Sequence, residues 1–464
     1  MGNARSVPPD PARTRLARKT AGDPLAATLA CVLLPFALGH FVSYLYRVVN
    51  AVVYPDLARD LGLAADGIGL LTSAYFLAFA AAQLPIGVAL DRYGPRKVQV
   101  PMLLLAAAGA LLFSQAHSLA QLALGRGLIG AGVAGSLMAA IKACSLWLPR
   151  ERLPLATALL LSVGGMGAMA STTPLHLALE YTDWRGAFLA LAIGTVAVSA
   201  AIHAAVPEHP HQQHQRHTGL ADMAGTVRDL YRSWSFWRLA LYSIVAHAVY
   251  MAVQSLWMGA WLRDVALLGR AQAAGVLLAG AAAMVAGSLF FGWLTDYLRK
   301  FGVKPILVCG AGIWLFVALQ ASMMGAAAPY PYLIAVGFSF FGTATTMNYA
   351  IVAQSVPPHL TGRVSTCFNL LVFLLAFMVQ WGMGGIINLW PQHQGAYPAP
   401  AYRTAFAVIV ALQLPGLLLW LTFRPWRREP TCAARPTRPD LRGPTYAARP
   451  TRPDLRGPTD ITTL

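Results

Sequence analysis

Charged side chains are scarce in this sequence. Asp, Glu, Lys and Arg together make up 11% of the 464 residues, while 57% are apolar. A soluble globular domain carries about 25% charged residues, so a water-facing surface of ordinary charge cannot be built from this chain. Acids are the scarcer sign, 18 against 35 Lys and Arg. Cysteine is sparse and unpaired in spacing: Cys31, Cys144, Cys309 and Cys367 sit within apolar segments and Cys432 near the C-terminus. That pattern supports neither a disulfide framework nor a zinc site. No Gly-rich loop ending in Lys-Ser/Thr is present, so ATP is not implied. No Ser/His/Asp order or metal cluster suggests an enzyme, a resident metal or a cofactor.

The net charge of +17 does not point to nucleic acid either. Residues 1–23 hold five basic and two acidic side chains, residues 424–464 nine and four, and most of the remaining excess lies in short loops. What the chain has in abundance is long apolar runs. Only helices and closed barrels satisfy the backbone in lipid, and these runs lack the alternation of barrel strands. At about 20 residues per span, twelve candidates appear: 26–53, 67–90, 97–115, 121–147, 153–178, 185–206, 237–263, 271–295, 304–324, 330–355, 363–389 and 402–423. The first run, from Ala26, is long for a cleaved signal and is read as retained.

Orientation follows from Lys and Arg in the short loops. With the N-terminus in the cytoplasm, thirteen basic residues (Arg92, Arg96, Lys97, Arg150, Arg152, Arg216, Arg228, Arg232, Arg238, Arg299, Lys300, Lys304, Arg363) face it. Five (Arg59, Arg185, Arg263, Arg270, Arg403) face the other side. Both termini are then cytoplasmic, and the membrane expected is the cell inner (cytoplasmic) membrane. The expected organisation is an N-terminal tail 1–25, a six-helix bundle 26–206, a polar linker 207–236, a second six-helix bundle 237–424 and a Pro/Arg-rich tail 425–464. The linker carries a His-rich run, 209–217, read as solvated rather than metal-binding. In the tail, residues 433–445 recur as 447–459, a composition expected to be disordered.

Six spans apart, two loops repeat an element. Span two ends in Gly87-x-x-x-Asp91-Arg92-x-Gly94-x-Arg96-Lys97, and span eight in Gly292-x-x-x-Asp296 followed by Arg299 and Lys300. The first element resembles the signature loop of the major facilitator superfamily, and Arg126-x-x-x-Gly130-x-Gly132 in span four is similar to its second motif. The resemblance covers 26–424 and implies an all-α polytopic membrane protein of twelve transmembrane helices in two pseudo-symmetric six-helix bundles. It further implies that Gly87, Asp91, Arg92, Gly94, Arg96, Lys97 and Asp296 form a conformational latch, with Asp91 against a helix N-terminus and the basic residues pairing across to the other half. A narrower resemblance links the first five spans to the anion:cation symporter family: Tyr44-x-x-Arg47-x-x-Asn50, then Lys142-Ala143 leading to Trp147-Leu148-Pro149-Arg150-Glu151-Arg152, then Gly164, Gly165, Gly167 and Pro174. Where some phosphate-ester exchangers carry a second arginine in span seven, this chain has Met251, which argues against a doubly charged phosphate.

The distribution of charge inside the membrane is the most informative feature. All eighteen acids fall in loops, tails or span ends, while Arg47, Arg126 and Lys142 enter spans, with His40 and His247 as titratable neighbours. A charge within a span costs several kcal/mol and usually serves function. With no buried acid to pair, an anionic substrate is the simplest counter-charge. His40, Ser43, Tyr44, Arg47, Asn50 and Tyr54 share one helical face of span one, and Ser243, His247, Tyr250, Gln254 and Trp257 repeat the idea in span seven. Structural alternatives stay open: Arg47 and Lys142 snorkelling to an interface, Arg126 packing between helices, the histidines as core residues.

The reading is a secondary transporter of a small organic anion, a carboxylate by preference, working as a monomer without cofactor. Coupling is to an ion such as a proton or to a counter-substrate. Arg47, Asn50, Tyr44, His247, Tyr250 and Gln254 are the candidate substrate contacts. An exporter of neutral or anionic cargo and a non-transporting sensor are the alternatives.

Overall fold

A computed structural model describes residues 29–148, 152–207, 220–325, 330–354, 361–393 and 396–422. The tail repeat, the His-rich run and Glu151 lie outside the described residues. Among these residues the chain is helical, apart from an isolated bridge between His393 and Ala396. Among the described residues eleven helices are long and apolar enough to cross a membrane: Leu29–Val48, Ala65–Tyr93, Pro95–Ser114, Leu119–Trp147, Ala156–Ala178, Trp184–Ala205, Phe236–Asp264, Arg270–Arg299, Pro305–Ser322, Val364–Ile387 and Ala399–Trp420. They are numbered here as spans one to nine, eleven and twelve.

The tenth expected span, 330–355, is present but broken. It runs as an α-helix Pro331–Gly342, one 3₁₀ turn Thr343–Thr346 and a second α-helix Met347–Gln354. The break has a local cause. Thr343, Thr345 and Thr346 each donate to the carbonyl three residues back, at 2.6–2.7 Å, which offers the backbone an alternative to the α-helical ladder. Span seven is also irregular: residues Val253–Trp257 form a π-helical segment between α-helices Trp234–Ala252 and Met258–Asp264. Irregular backbone of this kind is tolerated at membrane depth where protein buries it.

Helix boundaries follow ordinary signals. Ser118 and Asp183 cap spans four and six by accepting from Gln121 and Gly186 backbone N–H groups, as short polar residues do at helix starts. Gly94, which joins spans two and three, has φ of 82°, a conformation that favours glycine, so its place in the loop motif has a backbone reason. Span one is longer than expected, because after a single break at Val49 the helix resumes as Asn50–Leu61. The linker is not polar throughout. Helix Leu220–Arg232 occupies its second half, where Val227, Leu230 and Tyr231 make an apolar stripe, and the Tyr231 hydroxyl donates to the Cys367 carbonyl of span eleven at 2.8 Å.

Glycines let the spans approach closely, as small residues do in membranes. A Cβ on Gly130 would lie 2.3 Å from the Tyr75 carbonyl of span two, and one on Gly132 2.4 Å from the Ala106 nitrogen of span three. Two glycines two residues apart face opposite sides of a helix, so this motif wedges span four between spans two and three. Span five works similarly: Gly164 and Gly167 abut His40 and Phe41 of span one, while Gly165 abuts Val285 of span eight, in the other bundle. Across the second inter-bundle seam, Phe79 of span two stacks on Phe373 of span eleven at 3.9 Å.

At the end opposite the chain termini, here the far face, the bundles are tied together. Asp56 in the extension of span one pairs with Arg270 at the start of span eight. The Ala65 N–H donates to the Tyr397 hydroxyl at 2.9 Å. Gly384 of span eleven presses on the Ala65 carbonyl, and Gly259 of span seven on the Ala51 carbonyl. Tyr397 also donates from its N–H to Asp264, which accepts the Tyr402 hydroxyl at 2.6 Å as well.

Candidate functional site

Three cations enter spans, and the structure gives them different surroundings. Lys142 has an acidic partner: its Nζ lies 2.5 Å from Asp91. The sequence placed Asp91 against a helix N-terminus and left Lys142 without a buried acid. The structure instead joins them within one bundle, because Lys142 lies close enough to the end of span four for its long side chain to reach the loop. Arg92 stacks on the neighbouring Tyr93 ring at 5.2 Å rather than across the interface. Asp296 is exposed and has no ion-pair partner among the described residues. The basic loop and the second-half acid are therefore not brought together in this conformation.

Arg126 is 0% exposed. Its Nη1 donates to the Tyr46 carbonyl at 2.9 Å, its guanidinium lies 5.2 Å from the Tyr75 ring, and Nε and Nη2 have no partner. Arg126 thus cross-links spans four, one and two, and Gly130 one turn on secures the same packing.

Arg47 differs from both. It sits on the seam between the bundles, in the last turn of span one just before the break at Val49, and is only partly buried. Its guanidinium lies 4.5 Å from the Tyr44 ring, 5.4 Å from Phe373 and 5.7 Å from Phe79. No carboxylate pairs with it among the described residues, and its Nε is buried without a partner. Arg47 lies within electrostatic reach of His40, His247, Tyr250 and Tyr349. Of the residues predicted from spans one and seven, Tyr44 touches the guanidinium, while His247, Tyr250 and Gln254 stand in the second bundle.

The second bundle supplies the other wall. His247 is 3% exposed, and its Nδ1 is 2.6 Å from the Thr345 hydroxyl in the break of span ten. Its ring packs edge-on to Tyr349, 5.7 Å away, and Tyr349 donates to Asn369 at 2.7 Å. The Tyr250 ring packs on Phe316 and Phe338 and fills the space beside Gly342, leaving its hydroxyl without a hydrogen-bond partner. Gln254 lies in the π segment, with Nε2 3.8 Å from the Met284 sulfur. Asn50 is placed less favourably: its amide donates to Thr72 at 2.9 Å, which ties span one to span two and leaves only its buried Oδ1 free.

Sequence reasoning missed Thr345, Tyr349, Tyr75, Phe79 and Phe373. The aromatic members look like any lipid-facing ring in a hydrophobic span. The run Thr343-Ala344-Thr345-Thr346 was the one signal available, since hydroxyls in succession within a span need internal partners. His40 keeps both ring nitrogens buried and unpartnered against Tyr44 at 5.1 Å.

Two helical bundles, an unpaired cation on the seam between them and ties at one face define a membrane carrier rather than an enzyme. The Major Facilitator Superfamily profile matches residues 36–380. The chain belongs to the major facilitator superfamily and is a transporter. It is similar to the probable sulfoacetate transporter SauU of Cupriavidus necator, 25% identical over 62% of this chain and 69% of that protein. It is equally similar to a probable L-galactonate transporter of Escherichia coli, 25% identical over 82% and 87%. A hexuronate transporter of the same organism is 28% identical over a shorter stretch, 33% and 35%. Among solved structures, the inward-facing, occupied form of a bacterial homologue of the human lysosomal transporter Spinster superposes with a TM-score of 0.67 at 16% identity, covering 86% of this chain and 97% of that one. The nucleoside transporter NupG superposes at 0.65 and 11%, covering 84% and 99%. At those identities the likeness is one of fold.

Proposed function

We propose that this transporter moves a small organic anion, a carboxylate by preference, across the cytoplasmic membrane by alternating access, with both termini in the cytoplasm. One observation carries the reading. Arg47 holds a guanidinium on the inter-bundle seam, with aromatic rings around it and no acid to neutralise it among the described residues. A planar guanidinium grips carboxylate or sulfonate oxygens through two parallel N–H donors, and the rings shield the pair from water. Tyr44 shapes the first-bundle wall, while His247, Tyr250 and Gln254 meet the anion from the second. The relatives named for sulfoacetate, L-galactonate and hexuronate carry small organic acids, which supports the same substrate class here. Gly87, Asp91, Arg92, Gly94, Arg96, Lys97 and Asp296 are proposed to act as a latch in another access state, since Asp91 is held by Lys142 in this one.

The test is uptake and counterflow in proteoliposomes with a panel of galactonate, glucuronate and sulfoacetate against a neutral nucleoside. Hydrogen bonds to charged groups contribute about 1.5–3 kcal/mol each. Losing two in Arg47→Ala should lower uptake efficiency on the order of a hundred-fold or more, with the purified protein still folded. Uptake by Arg47→Ala within a few-fold of the parent would sink the proposal, as would transport of the nucleoside alone.

A further inference from the structure

We infer that the near-face half of span eight is a docking surface for an anionic phospholipid. Its acyl chain lies along a stripe of aromatic rings, and its phosphate meets Arg299 and Lys300. The near face is the end of the molecule that carries the chain termini.

The stripe is Phe290, Trp293, Tyr297 and Phe301. The first three are spaced three and four residues apart, which makes one line on a helix surface, and Phe301 follows in the turn after the helix. All four are exposed, Trp293 by 60% and Phe301 by 66%. Successive rings lie 6.1, 5.5 and 5.4 Å apart between centroids, and Trp293 and Tyr297 are nearly parallel at 16°. Phe290 is anchored on Phe340 of span ten at 5.3 Å, so the line is held from within the bundle. Spans three, six and twelve turn aliphatic side chains outward instead, such as Leu104, Ile193 and Leu418. Stacked rings offer an extended acyl chain a broad apolar face with little side-chain freedom left to lose.

Depth and charge select the occupant. Span eight has 30 residues, Arg270–Arg299, and at 1.5 Å per residue is about 45 Å long. The hydrocarbon core is about 30 Å thick, so about five residues emerge at each end of a centred helix. Phe290 and Trp293 then lie in hydrocarbon, Tyr297 at its boundary, and Arg299 and Lys300 among headgroups. Residues 289–304 carry three bases, Arg299, Lys300 and Lys304, against one acid, Asp296. Arg299, Lys300 and Asp296 are all exposed. The positive excess favours a headgroup of net negative charge over a zwitterionic one. It disfavours a second copy of this chain, because a two-fold contact sets one patch, and so its bases, against itself.

Native mass spectrometry of the full-length, delipidated protein tests the inference, with phosphatidylglycerol, phosphatidylcholine and glycerol phosphate as probes. The expected result is one phosphatidylglycerol bound about thirty-fold more tightly than phosphatidylcholine, the preference that two basic side chains near an anionic group give. Glycerol phosphate should not bind in that range. Arg299→Gln combined with Lys300→Gln should bring the preference to near one. Trp293→Leu combined with Tyr297→Leu should weaken phosphatidylglycerol several-fold and keep the preference. These side chains are exposed, so the variants should melt with the parent. Arg232→Gln, which removes an exposed base of the linker helix, should change neither quantity. No preference in the parent, a preference that survives the double base variant, an equal loss in Arg232→Gln, or full affinity in the aromatic variant overturns the inference. Glycerol phosphate binding as tightly as the lipid also overturns it and assigns the bases to a soluble phosphate ester. A two-chain mass that only the aromatic variant loses overturns it as well and makes the stripe a subunit contact.

Discussion

The tie between Asp56 and Arg270 is one of the charged links holding the two bundles together at the far face, and its strength can be estimated. The Asp56 side chain is 12% exposed and Arg270 47%, so the pair stands between a surface ion pair, about 0–1 kcal/mol, and a buried one, whose disruption costs about 3–5 kcal/mol. A value of about 1–2 kcal/mol corresponds to a factor of about 5–30 in the balance between closed and open far faces. Asp56→Asn and Arg270→Gln should each raise far-face opening by that factor. A cysteine at Val52, which lines the same cleft as Arg270 and Pro55, reports opening through its rate of modification by a membrane-impermeant maleimide. Because the two charges act as one unit, the double variant should be no faster than the faster single variant. Multiplicative effects, or a rate unchanged in both single variants, would refute the claim that this pair closes the far face.

The remaining predictions concern packing and pH. Gly130→Ala should severely reduce the yield of folded protein in a thermal-stability assay, since its Cβ would lie 2.3 Å from a backbone carbonyl, whereas Gly194→Ala, with nothing within 4 Å, should be neutral. Asp60, in the last turn of the helix Asn50–Leu61, is held below the usual carboxylate range, first by the Trp184 indole N–H at 2.9 Å and then by Arg59 and Arg185. Folded protein therefore binds that proton less readily than unfolded chain. The stabilisation is complete above the ordinary aspartate value of about 4 and is lost as the pH falls through the lower folded value. Trp184→Phe should remove part of it, so that the stability gap between parent and variant is widest at neutral pH and narrows toward pH 3. A gap independent of pH would mean that Trp184 acts through packing alone.

The spans were legible because lipid enforces length and apolarity residue by residue. Arg270, Trp184 and Ala399 begin helices close to the positions that composition alone marked. The break in span ten was not legible from hydropathy, because Thr343, Thr345 and Thr346 satisfy themselves on their own helix and leave the run apolar enough to read as continuous. The linker helix Leu220–Arg232 escaped for the opposite reason: its stripe of Val227, Leu230 and Tyr231 is spaced among Arg and Asp. Lys142 illustrates the limit of counting charges along a chain. It was read as a cation without an acid, yet Asp91, distant in sequence, lies at its tip. Arg47 was legible as an interior charge, but its aromatic surround from Phe79 and Phe373 depends on how spans two and eleven cross.

The π turn of span seven and the 3₁₀ turn of span ten carry residues proposed to face the anion or to touch one that does, and the first bundle has breaks of its own at Val49 in span one, Ala134 and Gly135 in span four, and Ser171 and Thr172 in span five. Gln254 lies in the π turn and Thr345 in the 3₁₀ turn, and Tyr250 packs against Gly342 beside the latter. In the first bundle, Arg126 ties span four to the Tyr46 carbonyl of span one, and Gly130 and Gly132 hold it against backbone atoms of spans two and three. The break at Val49 lies two residues from Arg47. A second bundle with interrupted helices beside His247 has backbone that can bend locally without breaking a long α-helical ladder. On the proposed reading, spans seven and ten and the Val49 break of span one are the points where the wall facing the anion can bend, and span one carries the guanidinium that pairs with it.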